Sequence, residues 1–182
     1  MLIHGRKKSN KTPLFFITDG AGSATVYLHL PRFPSGMPLY AVESPFVRCP
    51  LEYNFSVEKT AEMYIAAIKK IQPAGPYNLG GWSAGGAHAF EVSRRLLKSG
   101  EKVQRLIIID MKIPKPMPEG LEVRMDILDK VGLTTGINRA GPALASMSER
   151  LKQHLVSTIK SLMDYTARPM DPSRRPDKRY LI

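Results

Sequence analysis

An α/β domain built on a mostly parallel, doubly wound sheet is predicted by three features of this 182-residue chain. Short apolar runs of strand length alternate with segments of helical periodicity, the pattern that lays helices against a parallel sheet. One run, Leu106-Ile107-Ile108-Ile109, is unbroken by polar residues, as strands buried on both faces tend to be. And Gly81-Trp82-Ser83-Ala84-Gly85-Gly86 stands between an apolar run and a helical pattern, the position of a tight strand-to-helix turn.

Taken in order, residues 1–12 read as a polar linker. Leu14-Phe15-Phe16-Ile17-Thr18 has the composition of a buried strand, followed by a loop at Asp19-Gly20-Ala21-Gly22-Ser23. Leu39-Tyr40-Ala41-Val42 is the second strand, reached through prolines 31, 34 and 38. Ser56 is placed to cap a helix whose apolar positions Val57, Ala61, Tyr64, Ile68 and Ile71 hold one face until Pro73. Tyr77-Asn78-Leu79 is a short strand, and Ala84 to Leu97 a helix with its stop at Lys98-Ser99-Gly100. Val103 to Ile109 is the third strong strand. Beyond Asp110 the prolines at 114, 116 and 118 interrupt the chain. Helices are then predicted over Leu121 to Val131 and Met147 to Tyr165, the second with a stripe of Met147, Leu151, Leu155, Ile159 and Leu162. Two helices with no strand between them suggest a lid over the sheet; helices packed on the sheet's flank are the alternative. The expected layout is a linker over 1–12, a core over 13–110, a helical lid over 111–167, and a connector over 168–182 that starts a further strand at Tyr180.

Composition narrows the class. A hydrophobic fraction of 43% is ordinary for a globular domain, and no apolar stretch reaches the roughly 18–20 residues of a membrane span. The first residues lack the apolar core of a secretion signal, and a single cysteine, Cys49, allows no internal disulfide. A reducing, cytoplasmic setting is expected. The net charge of +11 comes from 27 Lys and Arg against 16 Asp and Glu. These cations are dispersed and lack interleaved aromatics, so no nucleic-acid partner is expected. The concentrations at Arg6-Lys7-Lys8 and from Arg174-Arg175 to Lys178-Arg179 read as solvated connectors. A basic surface favours an acidic protein partner, chiefly through faster encounter.

The Gly81–Gly85 turn fits a nucleophile elbow, in which a serine is held on a strained turn that exposes its hydroxyl; Ser83 is the candidate nucleophile of an α/β-hydrolase fold. Gly81, Trp82 and Gly85 complete the turn, the glycines being needed where strand and helix press together. In this fold the partners follow in the order serine, acid, histidine. Asp110, at the carboxyl end of a buried strand, is the candidate acid, though a strand-end aspartate also serves simply to cap a loop. The backbone amide of Ala84, with one from Gly20 or Ala21, is expected to form an oxyanion hole. Gly20 and Gly22 are expected to let the backbone approach a substrate closely, and a plain tight turn is the alternative. No residues point to a metal centre. The base is the weak point. His154 reads as a surface or lid histidine, His88 as one that packs against a neighbour, and His4 and His29 precede the serine.

Thr18-Asp19-Gly20-Ala21-Gly22-Ser23-Ala24-Thr25, Pro76 to Gly86, and Leu106-Ile107-Ile108-Ile109-Asp110 together resemble the thioesterase domain (thioesterase/Claisen cyclase type) that closes fungal non-reducing iterative polyketide synthases. The likeness runs over nearly the whole chain, and Leu2 to Arg6 resembles the linker that follows the carrier protein. The resemblance implies acyl transfer from the phosphopantetheine arm of an acyl carrier protein to Ser83, then release by water or by a ring-closing substrate carbanion. It implies no cofactor of the domain's own. Asp110 matches the acid position of that family, and the amides of Ala84 and Gly20 match its oxyanion hole. The sequence departs from the pattern at its ends. It begins at the linker, and it stops before the family's histidine, last strands and terminal helix. On this basis it is expected to be truncated and to turn over slowly. A non-catalytic module that docks a carrier protein, and a standalone serine esterase, are the other expectations.

Overall fold

The computed structural model describes residues 1–33, 35–111 and 148–181. Six strands form one sheet: β1 Leu2–His4, β2 Leu14–Ile17, β3 Leu39–Val42, β4 Tyr77–Trp82, β5 Val103–Ile109 and β6 Lys178–Leu181. They lie side by side as β1-β3-β2-β4-β5-β6, and all but β1 run parallel. The helices are α1 Val57–Lys69, α2 Ala84–Lys98 and α3 Glu149–Met163.

The pleat divides the apolar residues between two faces. Phe15 and Ile17 of β2, Leu79 of β4 and Ile108 of β5 pack with Ala61, Tyr64 and Ile68 of α1 and with Val92 and Leu96 of α2. Leu14, Phe16, Leu39 and Ala41 point the other way, toward Ala24 and Tyr27 of a short 3-10 turn. β2 and β3 are buried along their whole length, which explains why their sequences show no polar alternation.

Several elements match their expected bounds, and others differ for visible reasons. Ser56 caps α1 by accepting from the Lys59 amide at 3.3 Å. That helix ends at Lys69, ahead of Pro73, so Ile71 leaves the apolar face and is 47% exposed. β4 runs on through Gly80 and Gly81 to Trp82, paired with β2 and β5 along its length. The segment read as a linker contributes β1, an edge strand held where the Met1 amino group donates to the Ala41 carbonyl at 2.7 Å. β6 begins two residues before Tyr180 and adds in parallel to β5. The helix expected over Leu121 to Val131 lies outside the described residues.

α3 departs most from expectation. Its most buried residues are His154, Thr158 and Ser161, while Leu151, Leu155, Ile159 and Leu162 are half-buried. The polar face is turned inward because loop carbonyls need donors there. Thr158 Oγ1 lies 3.1 Å from the Gly20 oxygen, and Ser161 Oγ donates to the Phe55 oxygen at 2.9 Å.

A buried carboxylate joins α2 to the chain after α3. Glu91 is fully buried and accepts from Arg94 Nε at 2.8 Å, Arg94 Nη2 at 2.6 Å, Arg95 Nε at 2.8 Å and the Tyr165 hydroxyl at 3.0 Å. Burial pushes its pKa up, but the two guanidiniums and the tyrosine outweigh this and hold it below the usual carboxylate range. Glu91→Ala would leave two cations and a hydroxyl facing a void. It is expected to cost about 3–5 kcal/mol, read as a lower urea midpoint, with Glu91→Gln losing less.

Candidate active site

Ser83 sits between the end of β4 and the start of α2 with φ 52° and ψ −131°, a backbone conformation that side chains strongly disfavour. The strain is imposed from both sides. A Cβ on Gly81 would lie 2.2 Å from the Gly85 carbonyl carbon, and one on Gly85 would lie 2.3 Å from the Ile17 oxygen. Strand and helix therefore meet backbone to backbone, and Ser83 spans the sharp reversal between them. Its side chain is half-buried, and Trp82 beside it is 37% exposed.

Asp110 is brought next to it. Trp82 pairs with Ile109, and the Ser83 amide donates to the Ile109 oxygen at 2.9 Å, so residues 83 and 110 leave adjacent strands at the same carboxyl edge. Asp110 also has φ 52° and is exposed. Ligands of open α/β sheets bind at this edge.

The loop after β2 reaches the same place, because Ile17 pairs with Gly81. Its polar groups are largely assigned. The Ala21 amide donates to Asp19 Oδ1 at 3.2 Å, the Gly22 amide to the Asp19 oxygen at 3.0 Å, and the Ser44 amide to the Gly22 oxygen at 3.0 Å. Burial pushes the Asp19 carboxyl up, opposed by the amides of Ala21 and Gly22. Of the three amides considered for an oxyanion hole, Ala21 is thus turned to Asp19. Those of Gly20 and Ala84 have no acceptor among the described residues. Tyr27 ties loop to elbow: its hydroxyl donates to the Ile17 oxygen at 2.8 Å and accepts the Trp82 amide at 3.2 Å.

The two loop glycines have a different use from the one expected. A Cβ at Gly20 would fall 2.5 Å from Leu155 Cδ1, and one at Gly22, where φ is +77°, would fall 2.4 Å from His154 Cε1. They make room for α3. His154 is accordingly 1% exposed, which corrects its assignment to the surface. The sequence concealed this because the partners of His154, the Gly20 carbonyl and Ser44, are more than a hundred residues away.

None of the four histidines is hydrogen-bonded to Ser83 or Asp110. His88 donates through Nδ1 to the Ala84 oxygen at 3.0 Å and lies 3.4 Å from the Tyr53 hydroxyl, packed as expected of it. His4 is bonded to the Leu30 oxygen, and His29 is exposed. Burial lowers the His88 pKa to about 4 and also lowers that of His154. A depressed histidine pKa means that the unfolded chain binds more protons, here between about pH 4 and the ordinary value of about 6.5. Stability is therefore full above that window and lost as pH falls through it. His88 alone should remove about 2 kcal/mol between pH 7 and pH 5. Unfolding free energies that stay level across this interval would contradict the burial of a neutral ring.

On the sheet face opposite α1 and α2, an apolar cleft of about 470 Å³ is lined by Leu14, Phe16, Tyr27, Leu30, Ile107 and Trp82, among others, and so reaches the elbow. Among the described residues no cluster of His, Cys, Asp and Glu could hold a metal, and no helix is long and apolar enough to cross a membrane.

A mostly parallel sheet flanked by helices, with a strained serine turn at its carboxyl edge, has the architecture of an α/β hydrolase. The chain belongs to the thioesterase domain family, whose model matches residues 12–176. It is 91% identical, over its full length, to part of the non-reducing polyketide synthase stmB of Aspergillus ustus, of which it spans 9%. It is 42% identical over 164 residues, 90% of the chain, to the orsellinic acid synthase of Emericella nidulans, of which it spans 8%. Among solved structures it is similar to the RedJ thioesterase of Streptomyces coelicolor, with a TM-score of 0.70 at 16% identity over 98% of this chain and 78% of that one. The NocB thioesterase domain of the nocardicin cluster matches with a TM-score of 0.67 at 19% identity, over 100% and 88%. Those two likenesses concern the fold alone.

Proposed function

We propose that the domain releases a carrier-bound polyketide through an acyl-enzyme on Ser83. The Ser83 Oγ attacks the thioester carbonyl, a carbon–oxygen bond forms, the carbon–sulfur bond breaks, and the phosphopantetheine thiol leaves with a proton. Water then hydrolyses the ester, or a substrate carbanion closes a ring on it. Asp110 is the acid partner in this reading, and the amides of Gly20 and Ala84 receive the oxyanion. The observation that carries it is the strained backbone at Ser83, beside Asp110, in a chain of the thioesterase family. A conformation that costs on the order of 1–3 kcal/mol persists where its neighbours enforce it, and it is found most often at working sites.

The proton of Ser83 has no imidazole to go to among the four histidines. Acylation by an ordinary thioester is therefore expected to be slow, with binding and the oxyanion amides providing what acceleration remains. An activated aryl ester of an aromatic acid, offered at mildly alkaline pH, should still load the chain once. Intact-mass spectrometry followed by peptide mapping should place the added acyl mass on the peptide that contains Ser83. Label found elsewhere, or none after long incubation, would exclude Ser83 as the nucleophile.

A second reading is a module that docks an acyl carrier protein without chemistry, and it draws on the charge at the far end of α2. Lys98, Arg168 and Arg174 line a cleft there together with Asp171 and with Arg94, whose charge is already paired with Glu91. A helix of 15 residues spans roughly 22 Å, so this charge would steer an acidic carrier rather than seat its arm beside Ser83. Salt-sensitive carrier binding with no acyl mass at Ser83 would select that reading.

A further inference from the structure

The geometry points to His154 as a positioning residue for the oxyanion hole: held by Ser44, it fixes the Gly20 carbonyl and so aims the Gly20 amide at the acyl oxygen on Ser83. The inference rests on Ser83 being the nucleophile.

Three observations carry it. First, His154 Nδ1 lies 2.9 Å from the Gly20 oxygen, and since a carbonyl can only accept, Nδ1 must bear the proton. In the neutral ring Nε2 is then an acceptor, and Ser44 Oγ, 2.7 Å away, donates to it. Ser44 is in turn placed by the Phe46 amide, which donates to its Oγ at 3.2 Å. One tautomer and one ring orientation satisfy the whole chain of bonds. Second, the Gly20–Ala21 peptide is gripped at both ends, its carbonyl by His154 and its N–H by Asp19 Oδ1. Thr158 Oγ1 stands 3.1 Å from the same carbonyl, although its single proton is shared with the His154 oxygen at 3.0 Å. The preceding amide of Gly20 is joined to that fixed plane through a single residue, and like the amides of Asp19 and Ser23 it has no acceptor among the described residues. Third, the fit is close. Gly22 has no side chain where the imidazole lies, and the ring also packs against Tyr53 with centroids 5.1 Å apart.

His154 does not touch the reacting atoms in this arrangement. It acts through a peptide, and its effect belongs to the transition state, where negative charge gathers on the acyl oxygen. Deleting one oxyanion donor costs about 100- to 1,000-fold in rate, so misaiming one should cost less, about 10- to 100-fold. The absence of an imidazole on Ser83 makes this visible, because the residual rate then depends mainly on the oxyanion donors.

The test compares wild type with His154→Leu, which removes both ring bonds, and His154→Asn, whose side-chain amide can donate from near the Nδ1 position. Single-turnover acylation by the activated aryl ester is followed as a function of ester concentration, and the Gly20 amide is followed by its proton–nitrogen NMR resonance. His154→Leu should shift that resonance and lower the limiting rate about 10- to 100-fold, with the half-saturating ester concentration unchanged. His154→Asn should recover most of both. A leucine variant that acylates at the wild-type limiting rate, or whose Gly20 resonance is unmoved, would overturn the assignment. So would a loss expressed only in half-saturation, or an asparagine variant that folds yet rescues nothing. A wild-type chain that takes no label at Ser83 would instead remove the nucleophile on which the inference stands, an outcome seen before any variant is made.

Discussion

Replacing Ser83 with glycine is expected to abolish acylation and at the same time to stabilise the fold by about 1 kcal/mol. The two effects have one origin. Ser83 is held at φ 52° and ψ −131°, where a Cβ is crowded by its own backbone at a cost on the order of 1–3 kcal/mol. Glycine relieves that crowding. It also adds freedom to the unfolded chain, which returns roughly 0.5–1 kcal/mol, so the net gain is smaller than the strain. Ser83→Ala separates the contributions. It keeps the Cβ and the strain, removes the hydroxyl, and should leave stability within about 0.5 kcal/mol, because that hydroxyl has no hydrogen-bond partner among the described residues. In a complete triad, removing the nucleophile costs about a million-fold. Here the expected readout is the disappearance of the acyl-Ser83 peptide in both variants. Urea midpoints for the three proteins complete the test. A glycine variant no more stable than the alanine variant would mean that the turn holds no strain, and the principal support for a working serine would go with it.

Much of this arrangement was legible in the sequence, for a physical reason. The elbow and its strands are specified by local requirements: glycine where backbones touch, an unbroken apolar run where a strand is buried on both faces, a serine where a helix begins. Leu39–Val42 falls as expected because it has no solvent face to blur its ends, and Val103–Ile109 because its apolar run is unbroken although one face is only half-buried. The short segment Leu2–His4 was hidden because an edge strand of three residues carries no periodicity, and its pairing with β3 is a long-range fact. α3 misled for a related reason. Periodicity assigns the buried face to the apolar residues, but here the packing partners are loops with carbonyls to satisfy, so His154, Thr158 and Ser161 turn inward. The glycines at 20 and 22 were read as room for a substrate, and the sequence could not say that Leu155 and His154 of α3 occupy the space beside them. Placing Ser83 beside Asp110 needed the register of β4 on β5, which sequence implies only through strand order.

Gly85→Ala is expected to be among the most damaging single-methyl additions to the chain, costing about 3 kcal/mol or more, the upper end of what overpacking produces. The added Cβ would lie 2.3 Å from the Ile17 oxygen and 2.6 Å from the Thr18 oxygen, both backbone atoms at the end of β2. A flexible side chain could swing aside, but these carbonyls are tied into the structure. The Ile17 oxygen accepts from the Tyr27 hydroxyl, and the Thr18 amide donates to Val42. Relief requires α2 to move off the sheet, which also shifts the Ala84 amide away from Ser83. Gly100→Ala provides the contrast. That residue has φ +87° with no atom within 4 Å of the added carbon, so only the backbone conformation is penalised, by about 1–2 kcal/mol. Thermal unfolding of the two variants should therefore rank Gly85→Ala well below Gly100→Ala, and Gly85→Ala alone should depress acylation of Ser83. If both lose the same stability and both keep the acylation rate, the first turn of α2 can relax freely against β2, and the close contact that forces the serine into its strained turn is not the constraint described above.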